Sequence, residues 1–447
     1  MSLDAPSTAS PPVTGLDDLT GWFRAGEKPA SERRCGLETE KLGVLAESGL
    51  PAPIAGEGAI AHVLERLAAD AHGQLLLEQG TPVGVQLAGS SLALEPGGQL
   101  ELSGEPSARL AVACREVSRH LAQTRRFSRE AGLAWLAVGY RPWGPRALVP
   151  WLPRGRYGLM RAQLPGRLAH DMMQMTASVQ ASFDFESEEE VAEQLACATA
   201  VSPVVTAMFA NSPLRDGAPS GYKSLRYRVW QEVDERRSGL LRLMFEPGFT
   251  YRRYVEWALD VPLLFVRRHG AYHPPGGRTF RDLMREGFAG EPASLQDFVD
   301  LVSTLFPEVR LKHVVELRGA DAVDARTTVA LPALWTGLLY DAQARREARS
   351  LIGSTFEELV RFQHDVAREA LFARLGGARA LDLGRELVRL ADGALARRHA
   401  AGLGDDGPLL DPLREILDAE ETGADRILEV HARTGGNVAA LIEAMRY

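Results

Sequence analysis

Residues 92–104 read LALEPGGQLELSG. If this stretch is extended and regularly paired across its glycines, alternation puts Glu95, Gln99 and Glu101 on one face. Leu94, Leu100 and Leu102 then fall on the other. Carboxylates are not buried unpaired, so the acidic face is either wet or holds cations. We take the second reading, because three other segments repeat the pattern.

The first is ERRCGLETEKLGVL, Glu32 to Leu45. As a strand it shows Gly36, Glu38, Glu40 and Leu42 on one side and Leu37, Thr39 and Lys41 on the other. Its E-x-E pair sets two carboxylates roughly 6–7 Å apart, although the pattern alone also suits a solvated sheet edge. The second is MTASVQASFDF, Met175 to Phe185, with Thr176, Ser178, Gln180, Ser182 and Asp184 opposite an apolar face. Small polar groups of this kind let a ligand approach closely. The third is VRLKHVVELR, Val309 to Arg318. Read as one strand, it carries Arg310, Lys312, Val314, Glu316 and Arg318 on its polar side. His313 shares the apolar parity and reads as a satisfied core histidine.

In one antiparallel sheet these faces gather Glu38, Glu40, Glu95, Glu101 and Glu316. Repulsion among them calls for a cation. An oxygen-rich, sulfur-free donor set favours magnesium, with manganese as the alternative. The chain has only three cysteines, Cys35, Cys114 and Cys197, and no H-E-x-x-H, so zinc is not supported. Neither a phosphate-binding G-x-x-x-x-G-K-[ST] loop nor a G-x-S-x-G elbow occurs. What remains is a metal–nucleotide site on a sheet, where arginines neutralise a transferring phosphoryl group. A two-carboxylate glycosidase would need neither so many acids nor the arginines. Arginine candidates lie in RGRY, Arg154 to Tyr157, and in SLRYRVW, Ser224 to Trp230. Each suits an anion clamp or a solvated segment.

The chain of 447 residues has a formal net charge of -8 and is 45% hydrophobic. That balance argues against nucleic acid as a partner. No run of about 18 apolar residues suggests a membrane span. Residues 1–17 form a polar leader read as disordered and unlike a signal peptide. Residues 18–330 carry the strands and hence the catalytic unit. Residues 331–447 are rich in Ala, Leu and Arg and form a helical region packed on it. Reduced thiols and small-molecule substrates place the protein in the cytoplasm, as a monomer or homodimer.

Taken together, the segments resemble the plant-type glutamate–cysteine ligase family, which is related to the glutamine synthetases. The stretches that carry the resemblance are GLETEKLGV, SLALEPGGQLELSG, PRGRYGLMR, DMMQMTASVQASFDF, MFANSPLRDG, GYKSLRYRVW, ALDVPLLF, FPEVRLKHVVELRGAD and LPALWTGLLYD, in the family's order. The resemblance implies an α+β fold: a curved, mainly antiparallel sheet forming a funnel, flanked by helices and glutamine-synthetase-like. It implies that ATP phosphorylates the side-chain carboxylate of L-glutamate and that the amino group of L-cysteine attacks the acyl phosphate. This is the first step of glutathione biosynthesis.

By position in the family, Glu38, Glu40, Glu95, Glu101 and Glu316 would ligate magnesium. Gln99 and Gln180 would face substrate, and Arg318 would lie against the phosphoryl group or a substrate carboxylate. Arg156, Arg226 and Lys312 would take substrate carboxylates or phosphates. Glu316, Arg226 and Arg318 form the expected catalytic group. The family often reads E-H-E-K where Thr39 stands here, and strand parity points Thr39 away from the acids. Ser182 stands in place of the family's Asn, which keeps a ligase with another acceptor amine as the alternative.

Overall fold

The computed structural model describes residues 10–56, 58–404 and 408–447. Its organising element is strand β1 (Cys35–Leu45), in which Leu37, Thr39 and Lys41 are buried and alternate with the half-buried Glu38 and Glu40. Around it lie β2 (Gln74–Glu78), β3 (Thr81–Gln86), β4 (Ser91–Leu94), β5 (Leu100–Ser103), β6 (Leu133–Leu136), β7 (Ser178–Phe183), β8 (Val309–Leu311) and β9 (Val315–Asp321). They form one nine-stranded sheet in the order β8-β9-β7-β1-β5-β4-β3-β2, with β6 pairing the end of β1. Every one of these pairings is antiparallel. The α+β class and antiparallel sheet implied by the resemblance are therefore present.

Two of the four diagnostic segments are hairpins rather than single strands. Residues 92–104 turn back at Glu95–Gln99, where Glu95 N donates to Gln99 O and Gly98 N to Glu95 O. Residues 309–318 turn back between β8 and β9, with Lys312 N donating to Val314 O. The polar faces survive because Arg310 pairs with Glu316 and Val309 with Leu317 across that hairpin. His313, expected in the core, is instead exposed at the turn, its ring centroid 4.2 Å from that of Trp22 and tilted 36° to it.

Helices cover the apolar side. Helix α1 (Leu110–Glu130) lies behind β1 and β6. Helices α2 (Gly155–Gln163) and α3 (Ala169–Met175) bring chain to the rim of the polar face. Helix α4 (Glu188–Met208) starts at a Ser187 cap and runs on through Pro203. It is long and apolar enough to cross a membrane by composition, yet 83% of that window is buried inside this fold, packed against β9. An all-round apolar helix of this kind is the core of a large domain. Helices α5 (Leu225–Trp230), α6 (Ala325–Tyr340) and α7 (Ala380–Ala400) follow, with α6 and α7 packed on each other.

The expected boundary at residue 331 falls inside α6, which packs on both β1 and β7. Sheet and C-terminal helices share one buried apolar cluster. The first part of the leader lies outside the described residues. Residues 10–17, expected to be disordered, are tied down: Ser10 Oγ accepts from Gln296 N, Pro11 O from Leu295 N, and a helix starts at Leu16.

Candidate active site

Strand register assembles the polar face. Glu40 lies opposite Glu101, Glu38 is flanked by Ser103 and Gln180, and Ser182 separates Gly36 from Glu316. Thr39 and Lys41 point to the opposite side, where Thr39 Oγ1 is 3.5 Å from the Tyr447 hydroxyl.

The β4–β5 turn brings Glu95 onto this face, and its geometry rests on a glycine. A Cβ at Gly97 would stand 2.5 Å from Gln174 O and 2.7 Å from Gln174 Cα, both backbone atoms of α3. Gly97→Ala is expected to lower stability by about 2 kcal/mol or more. Urea unfolding checks this, with Gly98→Ala as a contrast for left-handed strain, since Gly98 has φ +76°. Gln99, expected to face substrate, is spent on the same turn. Its Oε1 accepts from Gly97 N at 2.8 Å, and its Nε2 donates to Met173 O and Thr176 O at 3.1 and 2.9 Å. A buried amide so committed braces the loop and has no donor left for a ligand.

The acids are close enough to perturb one another. Burial pushes Glu40 up to about 8, with Glu101 and then Glu95 adding to the rise and Arg226 and the Ser178 amide opposing it. Glu40 Oε2 accepts from Ser178 N at 2.7 Å and from Ser178 Oγ at 3.1 Å. Glu101 accepts from Ser103 Oγ at 2.9 Å. Glu95 Oε1 is buried without a hydrogen-bond partner. Behind the sheet, burial pulls Lys41 down to about 7 against the attraction of Glu101 and Glu40.

Glu316 belongs to a different cluster. Arg310 Nε donates to its Oε2 at 2.5 Å, Lys312 Nζ reaches its Oε1 at 2.7 Å, and Arg318 Nη1 is 3.7 Å away. These cations overcome the cost of burial and hold Glu316 well below the usual carboxylate range. Three cationic side chains already neutralise this carboxylate, which sets it apart from the four acids of the inner hollow. Lys312, expected to meet substrate, is likewise paired to Glu316.

Arg318 Nη1 donates to Gln180 Oε1 at 2.6 Å. Arg226 donates to the Arg318 and Gly319 carbonyls at 2.8 and 3.3 Å. The two guanidinium carbons lie 5.9 Å (Arg226) and 5.8 Å (Arg318) from the Trp230 ring. Arg156 is buried on α2 with its guanidinium 5.3 Å from the Tyr157 ring, and the cavity is lined by Tyr157 and Met160 of that helix instead.

Two hollows open over the sheet. The inner one, about 70 Å³, is lined by Glu38, Glu40, Glu95, Glu101, Arg226 and Arg318, with Tyr157 and Trp230 at its sides. The outer one, about 590 Å³, is lined by Lys28, Arg34, Ser103, Ser182, Lys312 and Glu316. Glu38 lines both. Among the described residues no three His, Cys, Asp or Glu side chains already surround one point as a metal cage. The oxygen-only donors, the mutual repulsion at Glu40 and the unbonded Glu95 Oε1 nevertheless fit a hard divalent cation.

Arg310, Trp230 and Tyr157 were not singled out from sequence. Arg310 shared the polar parity of its strand, which was the available signal. Nothing local marked the two aromatic residues, because their place depends on how α2 and α5 dock.

Comparison with known proteins places these features. The sequence model of glutamate-cysteine ligase family 2 (GCS2) matches residues 34–444. Chloroplastic glutamate–cysteine ligase A of Oryza sativa subsp. indica is 35% identical over 421 residues, spanning 93% of this chain and 84% of that relative. The chloroplastic glutamate–cysteine ligase of Nicotiana tabacum is 35% identical over 447 residues, spanning 98% of this chain and 84% of its own. Among solved structures, a glutamate–cysteine ligase of Francisella tularensis in complex with AMP aligns over 92% of this chain and 87% of its own. Its TM-score is 0.55 at 12% identity, a likeness of fold alone. The curated relatives correct the cytoplasmic placement: these ligases, and that of Arabidopsis thaliana, are chloroplastic.

Proposed function

The chain belongs to glutamate-cysteine ligase family 2, and on that premise we infer that the polar sheet face joins the γ-carboxylate of L-glutamate to the amino group of L-cysteine. ATP is cleaved to ADP and phosphate in the reaction. The observation that carries this reading is an acid- and arginine-lined inner hollow set beside a wider outer one, with Glu38 on the wall of both.

We assign ATP to the outer hollow, the wider of the two, where Arg34 stands beside the Lys28–Asp184 and Lys312–Glu316 pairs. Glutamate and then cysteine occupy the inner one. The γ-phosphorus of ATP then meets the γ-carboxylate of glutamate near Glu38. Arg318 and Arg226 face the charge that develops on the transferring phosphoryl group, fixed in advance by Gln180 and by the backbone carbonyls of β9. Attack by the cysteine amine on the acyl carbon expels phosphate, and no enzyme nucleophile is needed. Glu38, Glu40, Glu95 and Glu101 would hold Mg²⁺, or Mn²⁺, which when bound neutralises the acids and the phosphates of ATP.

The test is ADP release from the purified chain with ATP and magnesium, first with glutamate alone and then with cysteine added. Strong release is expected only with cysteine. Release with another amine in its place moves the acceptor, and no release with any pair overturns the ligase.

A further inference from the structure

Asp321 is the last residue of β9, is fully buried and has no part in the reaction above. Its carboxylate fills the space over Gly139, where a Cβ would stand 2.4 Å from Asp321 Cγ. Three donors converge on it. Asn211 N and Ser212 Oγ donate to Oδ2 at 2.8 and 2.6 Å, and Ser224 Oγ donates to Oδ1 at 2.8 Å. Both hydroxyls also accept from the start of α5: Ser212 Oγ from Arg226 N at 3.1 Å, and Ser224 Oγ from Tyr227 N at 3.1 Å. A six-residue helix has little stability of its own, so its placement comes from such anchors. An ionised carboxylate, acceptor only, serves all three donors at once.

The same carboxylate stands 3.9 Å from Arg226 Nη1. Arg226 in turn holds an irregularity in β9. The register of β9 on β7 shifts between Leu317 and Ala320, so Arg318 and Gly319 fall within the shift. Their carbonyls accept from Arg226, Arg318 O from Nη2 at 2.8 Å and Gly319 O from Nη1 at 3.3 Å. A bulge in a strand re-aims a side chain. Here the side chain is Arg318, which lines the inner hollow and donates to Gln180 Oε1. Contacts therefore run without a break from Asp321 through Arg226 to the bulge and Arg318.

We propose that Asp321 is a positioning residue for phosphoryl transfer, which fixes α5 and Arg226 and, through the bulge, aims Arg318 at the reacting group. This rests on the ligase reading above. Apolar packing would join these segments at lower cost than a buried charge, and the guanidinium that the carboxylate orients accounts for the difference.

The experiment is a double-substitution cycle on the full chain, with ADP release followed at saturating ATP, magnesium, glutamate and cysteine. Asp321→Asn keeps the shape, removes the charge and sets an amide N–H where only acceptors fit. It is expected to lower kcat about thirtyfold, with the KM for cysteine within about twofold of the unaltered value. Arg226→Lys keeps a positive charge but cannot span both carbonyls. In that background Asp321→Asn is expected to cost less than about threefold, because the group it acts through is gone. An equal loss in both backgrounds makes Asp321 a support of the fold alone and overturns the proposal, as does an unchanged kcat in Asp321→Asn. If Asp321→Asn does not fold, Ser212→Ala, which removes one of the hydroxyls between Asp321 and α5, takes its place in the cycle, and equal losses again overturn it. Absence of ADP release from the unaltered protein with every acceptor defeats the ligase reading instead.

Discussion

Glu101→Ala is expected to lower turnover by about three orders of magnitude and at the same time to make the protein more resistant to unfolding when no divalent cation is added. Both effects come from one arrangement. Glu101 stands opposite Glu40 across the β1–β5 ladder, close to Glu95, and after burial it is the largest influence raising Glu40 to about 8. The folded-state value of Glu40 lies above that of the unfolded chain. The stability it contributes is therefore fully present below about pH 4.5 and lost as pH rises toward 8. Without added magnesium, the melting temperature should fall across that window. In Glu101→Ala the fall should be smaller, because the nearest like charge is gone. Magnesium should steepen activity and flatten the pH dependence in the unaltered protein and do little for the variant. Near-normal turnover of the variant at limiting magnesium would refute the assignment of these acids to a cation.

Glu316→Ala is expected to act in the opposite direction, costing about 3 kcal/mol of stability along with activity. The carboxylate is 6% exposed and is the shared partner of Arg310, Lys312 and Arg318. Its removal leaves buried guanidinium groups without compensation, which costs far more than the pair itself contributes. Because Glu316 is held well below its ordinary value, its contribution is fully present above about pH 4.5. It is lost only as pH falls through the depressed folded value, so the deficit should be constant across neutral pH. Urea unfolding at neutral pH measures it. A second substitution, Arg310→Met, should recover part of the loss, since an apolar side chain needs no partner there. A change under about 1 kcal/mol, insensitive to Arg310→Met, would return Glu316 to the cation-binding acids.

These two acids show what alternation along a strand can and cannot reveal. The period of two put Glu38, Glu40, Glu101, Gln180 and Glu316 on one face, and the antiparallel register bears that out. The division of those acids into a mutually repelling set and a cation-clamped one was invisible, because it depends on which side chain reaches across. Arg310 faces Glu316 only because the chain reverses at 312–314, a segment without glycine or proline to announce a turn. The reversal at Glu95–Gln99 did carry its signal, Pro96-Gly97-Gly98, and the turn explains why Gln99 braces backbone instead of facing substrate. Arg156 sat in a basic run that reads equally well as solvated. It becomes buried only because α2 docks with Tyr157 inward. The ordering of residues 10–17 depends on backbone partners at 293–296, a separation that local composition cannot sense.

The central place of β1 also bears on how the chain reaches its final form. Its partner β7 begins at Ser178, and β9 follows at Val315. At a synthesis rate of about 5–20 residues per second, β1 waits on the order of ten seconds for its long-range neighbour. Throughout that interval the Cys35–Thr39 segment of β1 lacks its β7 partner, a short template for misassembly between nascent chains. Glu38 stands in it and Glu40 next to it, fully hydrated until β7 arrives, and charged side chains at such an edge discourage a second copy from pairing there. The acids that crowd one another in the finished site thus act earlier as gatekeepers of its assembly. Substitutions at these positions are expected to reduce the yield of soluble protein in addition to any effect on catalysis.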